Sequence, residues 1–100
     1  MFTPRWLAGF VLLLAVFSLA ADPIKVACIG DSITEGAGLS NPSSESYPAR
    51  LQRLLGTNYV VRNYGVSGRT LLKKGDYPYW KEAYYKQSHD WLPDVVTIKL

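Results

Sequence analysis

The sequence predicts an α/β domain built on a parallel sheet, because short apolar runs alternate with segments of helical periodicity along the chain. Three runs are rich in β-branched residues, and two helical segments separate them. Strands that alternate with helices in this way form parallel sheets through right-handed crossovers. In such sheets the reactive groups lie at the carboxyl ends of the strands, so functional residues are expected there.

The predicted strands cover residues 24–29, 59–64 and 95–100. The first, IKVACI, is almost continuously apolar and ends at Gly30, which is typical of a strand covered on both faces. The second reads YVVRNY, and the third, VVTIKL, follows Pro93. We expect the flavodoxin-like order 2-1-3, with the third strand at an edge.

The first helical segment lies between the first two strands. Ser46 is placed to cap it, and Gly56 follows its end. Its apolar residues have helical spacing and predict one buried face: Tyr47, Leu51, Leu54 and Leu55.

The second helical segment precedes the third strand and is unusually aromatic. One face is predicted to hold Trp80, Ala83, Tyr84, Gln87 and Trp91. Glu82 and Lys86 have the i,i+4 spacing of a helical ion pair. Core packing explains this face, whereas Tyr77 and Tyr79 precede it and could also form an aromatic platform for a sugar ring.

Residues 1–21 are predicted to be a secretory signal peptide. Arg5 precedes an apolar run over residues 6–19, and small side chains suit cleavage after Ala20 or Ala21. A membrane span needs about 20 apolar residues, which is more than this run offers. We therefore expect a secreted or periplasmic protein that meets a membrane only through its leader, with its domain over residues 22–100.

Composition excludes several classes of partner. The formal net charge is +3, but the charges are interspersed, so no nucleic-acid partner is expected. Cys28 is the one cysteine, which rules out a disulfide within the chain and suits a buried position in the first strand. No cofactor or metal site is expected, and the sequence does not indicate an oligomeric state.

The candidate nucleophile is Ser32, in the segment G-D-S-I-T directly after the first strand. A serine hydroxyl needs a base to take its proton and N–H donors for the oxyanion that forms. Gly30 is expected to let the chain turn tightly, and Asp31 to order the turn as a local acceptor. The segment fits neither the P-loop pattern nor G-x-S-x-G, which leaves a serine hydrolase of another design. The other interpretation of Ser32 is a helix-capping serine.

The segment G-D-S-I-T resembles block I of the SGNH (GDSL-type) hydrolases, and N-Y-G-V-S-G-R-T, at residues 63–70, resembles block II. The resemblance implies that Ser32 is the nucleophile and that the N–H groups of Ser32 and Gly68 form part of an oxyanion hole. The family's G-x-N-D and D-x-x-H blocks are absent from the sequence. We therefore expect the third donor, the acid and the base to lie beyond Leu100, and this chain alone to be inactive.

The predicted function is carboxyl-ester hydrolysis through an acyl-enzyme on Ser32. By resemblance, the substrates are O-acetylated sugars, lysophospholipids or aryl esters, and secretion favours an acetylated carbohydrate. His89 lies ahead of the third strand, on the side opposite Ser32, and is interpreted as a surface residue. The alternative is a non-catalytic binding module of the same fold, or an inactive fragment without the catalytic acid and base.

Overall fold

A computed structural model describes residues 21–100 of the chain. The predicted signal peptide covers residues 1–21, and Ala21 is its one residue within the described part. Within residues 21–100, no helix has the length and apolar character that a membrane crossing requires.

The strands form one parallel sheet. They are β1 (Ile24–Gly30), β2 (Tyr59–Gly65) and β3 (Val95–Lys99), in the order β2-β1-β3. The predicted α/β class and strand order are confirmed. Because β1 is central and almost entirely buried, its carboxyl end lies between those of its two neighbours. Residues that follow the strands there are brought together.

The helices cover both faces of the sheet. They are α1 (Ser32–Glu35), α2 (Pro42–Glu45), α3 (Tyr47–Leu55) and α4 (Ala83–Asp90), with a 3₁₀ turn at Tyr79–Lys81. The Tyr47 hydroxyl of α3 forms a hydrogen bond with Oγ1 of Thr97 at 2.8 Å, and Tyr84 of α4 packs edge-on against Tyr64. Tyr64 is level with Ile98 in the strand register, so Tyr64 and Thr97 lie on opposite faces because side chains alternate along a strand. The result is a three-layer arrangement.

Helix α3 follows the predicted bounds but not the whole predicted face. Ser46 stands at its N-cap without a side-chain hydrogen bond, and Gly56 ends it with a φ of 81°. Leu54, expected to be buried, is 84% exposed. The amide of Gln52 lies on the side of α3 that faces β2. Leu54 is two residues further along the helix and therefore does not share that side, because residues two apart in a helix do not face the same way.

Helix α4 begins later than predicted. Trp80 lies in the preceding 3₁₀ turn and is 45% exposed, and Gln87 is exposed as well. Tyr84 and Trp91 keep the expected face, with ring centroids 5.5 Å and 6.2 Å from that of Tyr64. The helical periodicity therefore identified Tyr84 and Trp91 as packing residues, but it wrongly extended the helix over the 3₁₀ turn that contains Trp80.

The predicted ion pair between Glu82 and Lys86 is wrong. Glu82 is the N-cap residue of α4, and its Oε1 lies 2.7 Å from Nε of Arg69. Lys86 instead pairs with Asp90, at 2.6 Å. Tertiary contact with the loop after β2 thus replaces the local helical pair.

The core lies on the α4 face of the sheet and contains Ala27, Ile29, Tyr64 and Tyr79. The Tyr79 hydroxyl donates to the Tyr64 carbonyl at 2.5 Å, and burial raises the pKa of Tyr79. Tyr79 is therefore a core residue that anchors its turn to β2. Tyr77 is 68% exposed and stays a candidate for contact with a ligand.

Candidate active site

Ser32 is the first residue of α1 and follows the carboxyl end of β1. Its side chain is half-buried at this edge of the sheet. The preceding N–H, that of Asp31, donates to the Lys99 carbonyl at 3.1 Å, which ties the turn to the end of β3. The backbone therefore places Ser32 where all three strands end.

Asp31 is the N-cap of α1. One carboxylate oxygen accepts from the N–H of Ile33 at 3.1 Å, and the other lies 3.3 Å from Nζ of Lys99. Burial is the largest single influence on the pKa of Asp31 and raises it, but the hydrogen bonds and the Lys99 charge together lower it by more, so the net shift is downward. An ionised carboxylate that caps the helix holds the Ser32 turn in shape.

Gly30 is required by space rather than by backbone conformation. The tight turn expected at Gly30 does not use a positive φ; it depends on the space that a side chain would fill. A Cβ built there would lie 1.9 Å from Oγ1 of Thr34 and 2.7 Å from the Lys99 carbonyl oxygen. The absence of a side chain lets α1 fold directly back over the end of β1.

Gly65 has the same function at the end of β2. A Cβ there would lie 2.3 Å from the Glu35 nitrogen and 2.8 Å from the Thr34 carbonyl carbon. The backbone of α1 thus rests on the end of β2 without an intervening side chain. Thr34, which belongs to α1, is fully buried, and its Oγ1 has no hydrogen-bond partner among the described residues.

Gly68 lies in the loop that follows β2. The loop begins with the Val66 N–H donating to the Gly30 carbonyl at 2.9 Å, and Gly68 has a φ of 75°. Within residues 21–100, the N–H groups of Ser32 and Gly68 donate to no acceptor. Two N–H groups, one in each of the segments that follow β1 and β2, are therefore without an acceptor in this part of the chain.

Side-chain contacts hold both neighbours of Gly68. The Ser67 hydroxyl donates to the Glu35 carboxylate of α1. Arg69 donates from Nη1 to the Ser67 carbonyl at 2.9 Å and pairs with Glu82 of α4. The Arg69 guanidinium also lies 5.3 Å from the ring centroid of Tyr77. The loop is thereby attached to α1 and to the N-cap of α4.

Sequence reasoning missed Asn63, Glu35 and Glu82 as residues that shape this site. Asn63 had a local signal, since its Oδ1 accepts from the N–H of Gly65, two residues ahead, as in an Asx turn. Glu35 and Glu82 had none, because their partners are distant in sequence. Ser32, Asp31, Gly30 and Gly68 are all brought to one edge of the sheet, as expected.

His89 lies away from this edge. It is near the end of α4, exposed, with its ring centroid 4.5 Å from that of Tyr85. The Asp94 N–H donates to the Lys25 carbonyl, so the chain after α4 enters the sheet at its amino end. Ser32 lies at the opposite, carboxyl end, which leaves Ser32 without a histidine in the described residues.

No cluster of three metal-ligating side chains occurs within residues 21–100. Cys28 is buried in β1, as the sequence predicts. The chemistry available in the described part of the site is a serine hydroxyl, two backbone donors and the carboxylates that hold them.

The fold and this edge are those of an α/β protein that holds a half-buried serine at the carboxyl end of its central parallel strand. The model of the GDSL-like lipase/acylhydrolase family matches residues 28–100. The chain belongs to this family, and the resemblance to the SGNH hydrolases is confirmed.

One curated relative is the acetylxylan esterase of Xylanibacter ruminicola, strain ATCC 19189. It is 53% identical over 79 residues, which is 79% of this chain and 16% of that protein. The chain thus spans about one sixth of the relative's length. No solved structure matches the chain significantly.

Proposed function

We propose that this chain forms the nucleophile-bearing part of a secreted carboxyl-ester hydrolase. The observation that carries the proposal is the position of Ser32 after the carboxyl end of β1, next to a loop that bonds to Gly30 and Glu35 and carries the Gly68 N–H, which is unpaired within residues 21–100. Membership of an acylhydrolase family supports the same chemistry.

In the proposed reaction the Ser32 hydroxyl oxygen attacks the ester carbonyl carbon and loses its proton to a base. The oxyanion accepts hydrogen bonds from Ser32 and Gly68. The bond to the alcohol oxygen then breaks, the base returns the proton to the alcohol, and an acyl-serine remains. Water attacks that ester in turn and releases the acid and the free serine. We propose that the acid and base follow Leu100 in the gene product.

The proposed substrate is an O-acetylated carbohydrate. The name of the 53% identical relative specifies an acetylated xylan, and export would bring such polymers within reach. The proposal of export rests on residues 1–21 and is tested by the amino-terminal sequence of the protein recovered from the culture medium or periplasm.

The catalytic proposal is tested with Ser32→Ala in the full-length gene product, assayed on p-nitrophenyl acetate and acetylated xylan. Hydrolysis should fall by several orders of magnitude while the thermal unfolding temperature stays the same, because no other group replaces a covalent nucleophile. Ser40→Ala is the matched control, since Ser40 is exposed and away from the site.

A fluorophosphonate probe gives an independent measurement. It should label the wild type and Ser40→Ala at Ser32, as located by peptide mass spectrometry, and leave Ser32→Ala unlabelled. Ester turnover by Ser32→Ala near the wild-type rate would end the assignment. Absence of turnover and labelling in the wild type would favour a non-catalytic binding module.

A further inference from the structure

Asn63 joins the two segments that carry the proposed oxyanion donors. Its Nδ2 donates to the Thr34 carbonyl at 2.7 Å, and its Oδ1 accepts from the Gly65 N–H at 2.9 Å. Thr34 lies in α1 with Ser32, and Gly65 immediately precedes the loop that carries Gly68. A single amide therefore connects the nucleophile segment to the second donor segment.

The Thr34 carbonyl is available because α1 is only four residues long. The helix ends with the N–H groups of Gly36 and Ala37 both donating to the Ser32 carbonyl, so no later N–H in the helix reaches Thr34. A half-buried carbonyl without a partner is costly. Asn63 supplies that partner from the neighbouring strand, and the bond fixes where α1 ends relative to β2.

Close backbone packing makes this bond sensitive to displacement. At Gly65 the backbone of β2 touches the backbone of Thr34 and Glu35, so α1 cannot approach β2 further. The amide of Asn63 in turn keeps α1 from moving away. Contact on one side and a hydrogen bond on the other determine one distance between the two segments.

We propose that Asn63 is a positioning residue for the oxyanion hole, which it maintains by holding Ser32 and Gly68 at the separation the oxyanion needs. This inference rests on the proposed function. Donors stabilise an oxyanion at about 2.7–3.1 Å, and small displacements reduce the rate strongly. Asn63 itself touches no reacting atom, so its effect on catalysis passes through α1 and the loop.

The test uses Asn63→Asp in the full-length gene product, with kcat and KM measured on p-nitrophenyl acetate. A carboxylate can still accept from Gly65 but cannot donate to Thr34, and it repels that carbonyl. We expect kcat at pH 8 to fall roughly tenfold or more, short of the about 10²–10³ lost when a donor is deleted. KM should change less than kcat, since ground-state binding does not use the oxyanion hole.

The pH dependence tests whether loss of the hydrogen bond to Thr34 causes the fall in kcat. When the introduced carboxyl group is protonated, its O–H can donate to Thr34 again. The ratio of the variant's kcat to that of the wild type should therefore rise as the pH falls towards 5. A ratio that is constant with pH would overturn the proposal.

Gln52→Glu is the matched control. Gln52 is also a bridging amide, which donates to the Gly56 and Tyr59 carbonyls and accepts from Val61, but at the amino end of β2. Gln52→Glu should lose about as much stability as Asn63→Asp, but its kcat should change less than about twofold. Equal kcat losses in Gln52→Glu and Asn63→Asp would overturn the proposal.

Asn63→Ser provides a second variant should Asn63→Asp fold poorly. Its hydroxyl can keep the short bond to Gly65 but cannot reach Thr34, so kcat should again fall with little change in KM. A kcat within twofold of wild type would contradict the positioning proposal. Failure of the proposed function is distinguishable, because it would appear as a wild type without Ser32-dependent turnover.

Discussion

Gly30 and Gly65 lie directly opposite each other in the parallel register of β1 and β2, and neither has room for a side chain. A Cβ at Gly30 would overlap the Thr34 side chain, and a Cβ at Gly65 would overlap the backbone of Glu35. The paired glycines allow the short helix that begins with Ser32 to lie directly on the end of the sheet. The position of Ser32 thus depends on having glycine, which has no side chain, at both Gly30 and Gly65.

Gly30→Ala should lower the free energy of unfolding by at least about 3 kcal/mol, at the upper end of overpacking costs. Its Cβ would overlap Oγ1 of Thr34 and the Lys99 carbonyl, and the latter is backbone that cannot rotate away. Denaturant unfolding of the full-length gene product measures the change. Gly56→Ala is the control, since its Cβ meets no atom within 4 Å and only its positive φ is strained. Equal losses in the two variants would contradict the steric explanation.

Gly68→Ala should lower kcat strongly while it lowers the free energy of unfolding only modestly. Its φ of 75° strains an alanine by about 1–2 kcal/mol, and relaxation of that strain would turn the Gly68 N–H away from the oxyanion. Gly38→Ala has matching strain, with a φ of 84° and open space for its Cβ, but lies outside the site. Both variants should unfold at similar denaturant concentrations, and only Gly68→Ala should lose ester hydrolysis. Full activity in Gly68→Ala would remove Gly68 from the oxyanion hole.

Asp31 should make the fold sensitive to acid. Its pKa is lower in the folded protein than its ordinary value of 3.8, so its contribution to stability is present above that value and is lost as the pH falls through the folded pKa. Asp31→Asn should therefore reduce stability at pH 7, and the difference from wild type should shrink below about pH 3.8. Urea unfolding at pH 7, 4 and 3 measures it, with the exposed Asp22→Asn as control. A difference independent of pH would show that Asp31 acts without its charge.

Residues 21–100 expressed alone should self-associate. In the described part of the chain, β3 pairs only with β1, and Val95, Val96 and Ile98 are 46%, 48% and 62% exposed. An unpaired apolar strand edge is a template for pairing with another chain. Ile98→Lys should shift sedimentation towards monomer, whereas Leu54→Lys, on the exposed side of α3, should not. Monomeric wild-type fragment at micromolar concentration would contradict this prediction.

The sequence alone determined the sheet and the segments that follow its strands. Apolar runs and Gly30 defined β1, and the alternation with helical segments predicted parallel strands, for which the flavodoxin-like order was expected and is observed. Because parallel strands end at one edge, the positions of Ser32 and Gly68 after the first and second strands were sufficient to predict that both segments lie at the same edge of the sheet. These inferences needed only local patterns and the geometry of crossovers.

Only the tertiary structure decided which contacts hold that edge together. Helical periodicity could not show that Gln52 rather than Leu54 faces β2, or that Glu82 turns to Arg69 instead of Lys86. Asn63 meets Thr34 across 29 positions of sequence, a contact that exists only after the strands are in register. Side chains choose partners by distance in space, and for residues far apart in sequence that distance is set by packing of the whole domain.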